Sequence, residues 1–95
     1  MNSGKEEREA AHKAASHLAA EERCLVCHRD APSEPAHWPT HRGMGGGKAG
    51  WDTSEWVPLC RRCHDILDMR ENKPKERATI IMLINNELRR GVWPP

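Results

Sequence analysis

Two Cys-x-x-Cys-His segments contain every cysteine of this 95-residue chain. Cys24 and Cys27 form the first segment, and Cys60 and Cys63 form the second. Each pair can fold into a tight turn that offers two sulfur ligands, and the segment between the pairs can close around one ion. The sequence therefore predicts a tetrahedral thiolate site. Zinc is the favoured metal, with iron as an alternative because ligand type alone does not separate the two.

The histidine after each pair leaves a second chemistry open, because Cys-x-x-Cys-His is also the attachment sequence of c-type haem. Two haems would match the pattern twice, with Met44, Met69, Met82 or a spare His as distal ligands. However, the chain has four Trp, no Phe and no Tyr, so large apolar residues to enclose two porphyrins are scarce. No export signal is recognisable either. Structural zinc is therefore preferred to haem.

Composition limits the classes of protein that fit. A chain of 95 residues with 31% charged residues predicts a single domain, residues 1–95, with a thin core that a metal ion helps to stabilise. A net charge of +1 argues against a protein that binds polyanions nonspecifically over its whole surface. Any nucleic-acid contact should therefore come from a local cluster of basic residues. Because no segment resembles a signal peptide or membrane span, we expect a cytoplasmic protein with no membrane partner and with reduced thiols.

A helix should precede the first cysteine pair, and we assign residues 1–22 to it. The segment from Lys5 to Arg23 is rich in Ala, Glu, Lys and Arg and lacks Gly and Pro. Its apolar positions are mostly small, so we expect a weakly packed docking or partner helix. The apolar positions at helical spacing are Ala11, Ala14, Ala15 and Leu18.

The segment between the cysteine pairs should be irregular. Prolines exclude a helix from residues 24–39, and five glycines within residues 43–50 predict a loop. An extended run over residues 51–59 should lead into the second pair, and a short helix should follow over residues 64–70. Residues 23–70 would thus form the core of the domain.

The last helix is predicted over residues 74–91, because Pro74 is typical of a first helical turn and Gly91 of a helix end. Its apolar residues recur at helical spacing and should form its buried face. They are Ile80, Ile81, Ile84 and Leu88. Trp93, just after this helix, should hold the tail against the core.

Three further blocks lie between and after the cysteines. They are Ala-His-Trp-Pro-Thr-His-Arg-Gly-Met-Gly-Gly at 36–46, Val-Pro-Leu-Cys at 57–60 and Cys-His-Asp-Ile-Leu-Asp at 63–68. In this order and spacing, residues 22–70 resemble the HNH endonuclease family in its zinc-knuckle form. The resemblance implies a small zinc-stabilised α+β domain with a ββα-metal core, in which two strands and a helix surround a divalent cation, flanked here by N- and C-terminal helices.

The resemblance also implies roles for single residues. His37 would be the general base that activates water, with Glu55 orienting its ring and His41 completing the site. His64 and Asp68, one helical turn apart, would hold the catalytic cation, Mg²⁺ or Mn²⁺ with Zn²⁺ or Ni²⁺ as alternatives. Physical chemistry supports these roles, since positions i and i+4 share a helix face and an imidazole titrates near neutral pH.

Three positions depart from the family pattern. Ala36 stands where the family often has an Asp or His that binds the metal, and Glu55 stands at the place of the central Asn. Asp68 replaces the last His, a mild change because carboxylates suit Mg²⁺ and Mn²⁺. With no ligand at Ala36, either His41 or water would complete the coordination shell.

DNA is the partner that the resemblance implies, and small HNH proteins of phages and prophages often act within packaging or replication complexes. Basic residues near the motifs could hold the phosphate backbone, which the glycine loop would let main-chain N–H groups approach. These basic residues are Arg42, Lys48, Arg61 and Arg62. The predicted function is a metal-dependent DNA endonuclease, and the alternative is a non-catalytic zinc module that binds nucleic acid or protein.

Overall fold

A computed structural model describes residues 3–39 and 51–94 of the chain. This part of the chain is α+β, with three helices and one two-stranded antiparallel sheet, which confirms the predicted class. In chain order the elements are α1 (Ser3–Ala20), β1 (Glu34–His37), β2 (Trp56–Leu59), α2 (Arg61–Leu67) and α3 (Pro74–Arg89). The predicted glycine loop at residues 43–50 lies outside the described residues.

The two strands pair over their full length, with Glu34 opposite Leu59 and His37 opposite Trp56. Every residue of β2 is buried, since helices and the first cysteine turn surround it. Such burial explains the apolar run of β2, because a strand covered on both faces does not alternate polar and apolar residues. The carbonyl of Pro58 also accepts the N–H of Leu25 at 2.9 Å, which ties the first cysteine turn to the sheet.

Helix α1 packs against the sheet through alanines. Ala15 and Ala19 are 1% and 0% exposed, whereas Leu18 is 52% exposed. Of the four apolar positions noted in the sequence, Ala15 alone is buried, since Ala11 and Ala14 are exposed like Leu18. Small side chains let the helix backbone approach the sheet closely. The face of α1 that is buried is therefore the one with small residues, and not the one with the most hydrophobic residue.

The C-terminal end of α1 is held by the segment before β1. The N–H of Ser33 donates to the carbonyl of Ala19 at 3.2 Å, and its hydroxyl donates to the carbonyl of Glu22 at 2.8 Å. The last carbonyls of a helix have no partner within it, so these bonds satisfy groups that would otherwise need water. Glu34 follows directly, and β1 therefore begins at a point that is fixed by α1.

Helix α2 begins three residues earlier than predicted, at Arg61, and ends at Leu67. Cys60 is its N-cap residue, with an extended backbone, so Cys63 lies in the first turn of the helix. The sequence prediction missed this start because it treated the cysteine pair as a separate turn. In the structure, β2, the cysteine pair and α2 form one continuous unit.

Helix α3 covers the core with the residues that the sequence predicted. Ile80 and Ile84 are 6% and 0% exposed, and Ile81 and Leu88 pack beside them partly buried. Arg77 donates to the carbonyl of Leu67 at 2.8 Å and so connects α3 to the end of α2.

The chain after α3 folds back onto the sheet. Gly91 has a φ of +72°, a backbone conformation that glycine adopts without strain at helix ends. The indole N–H of Trp93 donates to the carbonyl of Trp56 at 3.0 Å, and the two rings lie 4.8 Å apart. Trp93 thus holds the tail against β2, as predicted.

Candidate functional site

The four cysteine sulfurs converge on one point. One ligand atom from each of Cys24, Cys27, Cys60 and Cys63 can be chosen so that all four lie within 4.8 Å of one another. The Sγ atoms of Cys27 and Cys60 are 3.7 Å apart, far longer than the ~2.05 Å of a disulfide. Tetrahedral zinc with Zn–S bonds of about 2.3 Å requires sulfurs roughly 3.8 Å apart. The cluster could therefore hold one structural metal ion such as zinc.

The first cysteine turn is closed by short-range hydrogen bonds. The N–H of Cys24 donates to the carbonyl of Arg29 at 3.0 Å, and the N–H of His28 donates to the carbonyl of Cys24 at 3.0 Å. The N–H of Cys27 points at the sulfur of Cys24 at 3.5 Å. His28 itself is exposed and has a φ of 61°, so its place is in the turn rather than in the sulfur cluster.

The sulfurs divide charge unequally. A hydrogen bond from Cys63 lowers the pKa of Cys24 to about 4, although burial opposes this. The same hydrogen bond, together with burial and the charge of Cys24, raises the pKa of Cys63 far above its usual value. Burial likewise raises the pKa of Cys27. A buried site that contains a thiolate favours a cation, because the cation compensates the charge and releases the thiol protons.

A second polar cluster is centred on His64, in the middle of α2. Its Nδ1 lies 2.7 Å from Oε1 of Glu34, and its Nε2 lies 2.9 Å from Oδ2 of Asp68. Glu34 is the first residue of β1, while Asp68 is the C-cap residue of α2, one turn after His64. The ring is 13% exposed, so it is held between the two carboxylates with little contact to solvent.

These contacts shift the pKa values of the group in opposite directions. Burial disfavours the charged form of His64, but the hydrogen bonds to Asp68 and Glu34 outweigh burial and raise its pKa. The hydrogen bond from His64 lowers the pKa of Asp68, with smaller contributions from the charges of Arg70 and His37. Asp68 is therefore a carboxylate at neutral pH, and His37 lies within electrostatic reach of it.

His37, the predicted base, ends β1 and stacks on Trp51. The two ring centroids are 3.8 Å apart with an angle of 31° between the planes. The ring of His12, on α1, lies 4.6 Å from the same indole. The stack of His12, Trp51 and His37 thus joins α1 to the end of β1.

The remaining predicted site residues fall in three groups. Glu55 lies in the turn before β2, where its carbonyl accepts the N–H of Trp38 at 3.0 Å and its carboxylate accepts the N–H of Asp52 at 3.4 Å. Arg61 and Arg62 are exposed at the start of α2. His41, Arg42 and Lys48 lie outside the described residues.

Arg61 has partners of its own. Its guanidinium lies 3.7 Å from Oε2 of Glu34 and 4.0 Å from Oδ2 of Asp65. It was predicted as a phosphate contact; in the structure it faces two carboxylates.

Sequence reasoning did not single out Glu34 and Trp51, although both contact predicted site residues. Glu34 is three positions before His37, and strand pairing of Glu34 with Leu59 brings it beside the start of α2. Trp51 precedes β2 by five positions. A sequence signal was available for Trp51 alone, because a large aromatic residue next to a glycine-rich segment is expected to pack against another part of the fold.

Comparison of the chain with models of known protein families, with curated proteins and with solved structures finds no match.

Within residues 3–39 and 51–94, no helix combines the length and apolar character needed to cross a membrane.

Proposed function

We propose that this chain is a small metal-dependent endonuclease of the HNH type, which hydrolyses phosphodiester bonds in DNA. The observation that carries the proposal is the contact between His64 and Asp68 on α2, a helix that packs against β1, the strand that ends at His37. The order β1, β2, α2 is the order of a ββα-metal core. The four-cysteine cluster at the start of α2 supports a bound structural zinc, because converging sulfurs suit one ion better than two haems.

In the proposed mechanism, His37 accepts a proton from the attacking water, for which an imidazole is suited near neutral pH. Trp51 restricts the ring of His37 by stacking on it. His64 and Asp68 would hold a divalent cation, Mg²⁺ or Mn²⁺, and such an ion would supply stabilisation of the charge on the phosphate and on the departing oxygen. Arg62, exposed on α2, contacts the DNA backbone, which gives affinity without sequence preference.

Cleavage of supercoiled plasmid tests the proposal. With Mg²⁺ or Mn²⁺ the wild-type protein should produce nicked or linear DNA, and EDTA should prevent it. His37→Ala should lower the rate about 10²- to 10⁴-fold, the usual contribution of a general base. His17→Ala is the matched control, because His17 is an exposed histidine of α1.

Two results would contradict parts of the proposal. Cleavage that survives His37→Ala removes the assignment of the base. Absence of cleavage by the wild type with every divalent cation rejects the endonuclease.

A non-catalytic zinc module is the second candidate, and one observation favours it. Ala36, where the family often has a metal ligand, is 0% exposed and offers no donor atom. A module of this kind would bind DNA or a protein without cutting. If the protein binds DNA in a gel-shift experiment but cleaves none with any divalent cation, this second candidate is supported.

A further inference from the structure

His64 faces two carboxylates, and once its ring binds a cation through one nitrogen it can donate a hydrogen bond to only one of them. A neutral imidazole has one N–H and one nitrogen lone pair. In the neutral ring the N–H can donate to Glu34 or to Asp68, and the lone pair of the other nitrogen then faces the remaining carboxylate. A divalent cation at that place would bind the free nitrogen and the carboxylate together.

The surroundings decide which carboxylate keeps the hydrogen bond. The second oxygen of Glu34, Oε2, lies 3.7 Å from the guanidinium of Arg61, so a positive charge already occupies that side. A divalent cation beside Glu34 would be repelled by this charge. Asp68 is on the other side of the ring, at the end of α2, where its side chain is 36% exposed and accessible to a hydrated ion.

Resting on the proposed function, we propose that Glu34 is the positioning residue of the cation site. It accepts the Nδ1–H of His64, which leaves Nε2 directed at Asp68, so that Nε2 and the Asp68 carboxylate bind the divalent cation. Metal-binding histidines commonly donate their second ring N–H to a carboxylate, which fixes the tautomer and the ring orientation. Glu34 would thus act through His64 and need not touch the substrate.

Strand pairing explains why Glu34 can take this role. Because Glu34 is opposite Leu59, it lies next to the residue that precedes Cys60 and α2. His64 is one turn into that helix, and its N–H donates to the carbonyl of Cys60 at 2.9 Å. The pair Cys60 and Cys63, which contributes two sulfurs to the cluster, therefore also positions His64 beside Glu34.

Two substitutions of Glu34 distinguish its role as a hydrogen-bond acceptor for His64 from the effect of its negative charge. Glu34→Ala removes the acceptor, whereas Glu34→Gln keeps a carbonyl oxygen that can accept the Nδ1–H but removes the charge. Asp65→Asn is the matched control, since it removes a negative charge from α2 whose contacts are Arg70 and Arg61. Zinc content and the thermal melt of each variant report whether the sulfur cluster and the fold are intact.

Binding of Mn²⁺ to the zinc-loaded protein, measured by electron paramagnetic resonance, is the main readout. Glu34→Ala should weaken Mn²⁺ binding about 10- to 100-fold, the usual effect of losing such a partner. Glu34→Gln and Asp65→Asn should bind within about threefold of wild type. ¹⁵N spectra of the imidazole without Mn²⁺, recorded at a pH high enough for the ring to be neutral, should show the Nδ1–H tautomer of His64 in the wild type and in Glu34→Gln, and loss of that tautomer in Glu34→Ala.

The outcomes are distinct from those of the cleavage assay. Unchanged Mn²⁺ binding in Glu34→Ala, or equal weakening by Glu34→Gln with the tautomer retained, overturns the positioning role. Binding that depends on Glu34, without any DNA cleavage, supports the positioning role and rejects the endonuclease. A wild-type protein that binds zinc alone overturns the cation site and, with it, the role of Glu34.

Discussion

At the scale of single residues, the structure separates groups that are chemically alike. The four cysteines differ in burial and in hydrogen bonding, and Cys24 has a pKa of about 4 while the pKa of Cys63 is raised. His64 contacts two carboxylates, whereas His37 stacks on an indole. These differences arise because a neighbour in space, which need not be a neighbour in sequence, stabilises one protonation state over the other.

The raised pKa values predict that zinc binding releases protons. Cys27 and Cys63 hold their protons at neutral pH in the metal-free site, but both must become thiolates to bind zinc. Two or more protons should therefore leave for each zinc bound, and zinc affinity should fall as pH is lowered. Calorimetric titrations at pH 7 in buffers with different ionisation enthalpies count the protons. A count of zero would contradict the thiolate site.

At the scale of elements, α1 is more than a peripheral helix. Its buried alanines, Ala15 and Ala19, let it lie close to the sheet, and His12 contacts the indole of Trp51. The sequence predicted a weakly packed docking helix, and the structure docks it on the chain's own sheet. The helix thereby supports the end of β1 that carries His37.

Close packing of α1 predicts different effects for the same substitution at two positions. Ala19→Leu places a large side chain at a site with 0% exposure and should destabilise the protein by about 1–3 kcal/mol. Ala14→Leu, at an exposed position of the same helix, should change stability by less than about 0.5 kcal/mol. Urea unfolding of the zinc-loaded variants measures both. If the Ala19→Leu variant were as stable as the Ala14→Leu variant, α1 would not be packed closely against the sheet.

At the scale of the whole molecule, the sulfur cluster connects the first cysteine turn with β2 and α2. One cysteine pair is tied to β2 through Leu25, and the other joins β2 to α2. Trp56 and Trp93 are the aromatic residues buried in the described core, Trp38 and Trp51 pack against it partly buried, and the chain has no Phe or Tyr. Since a small domain has little surplus stability, a metal that joins both pairs should contribute a large share of it.

Loss of one sulfur ligand should therefore unfold the protein. Cys60→Ser is expected to remove the structural ion, whose binding is worth about 10–16 kcal/mol in zinc-finger peptides at pH 7. His28→Asn is the control, because His28 is exposed beside the cluster and Asn tolerates its positive φ. Circular-dichroism melts with zinc analysis distinguish the two. An unchanged melt for Cys60→Ser would show that the ion is not structural.

The sequence determined the parts of this protein that depend on local rules. Cysteine spacing predicted the four-sulfur cluster, and helical periodicity predicted the buried face of α3, because ligand turns and helix faces are set by residues close together in the chain. Sequence also suggested His64 and Asp68 as a pair, since one helical turn joins them.

Only the tertiary structure decided the contacts between distant segments. Glu34 meets His64 across 30 positions of sequence, and Trp51 lies between His12 and His37. Strand register and the close approach of α1 create these contacts, and neither leaves a periodic signal in the residues concerned. The four cysteines that could hold a structural ion were therefore predictable from the chain, whereas the contact between Glu34 and His64 became visible only when β1 was placed beside α2.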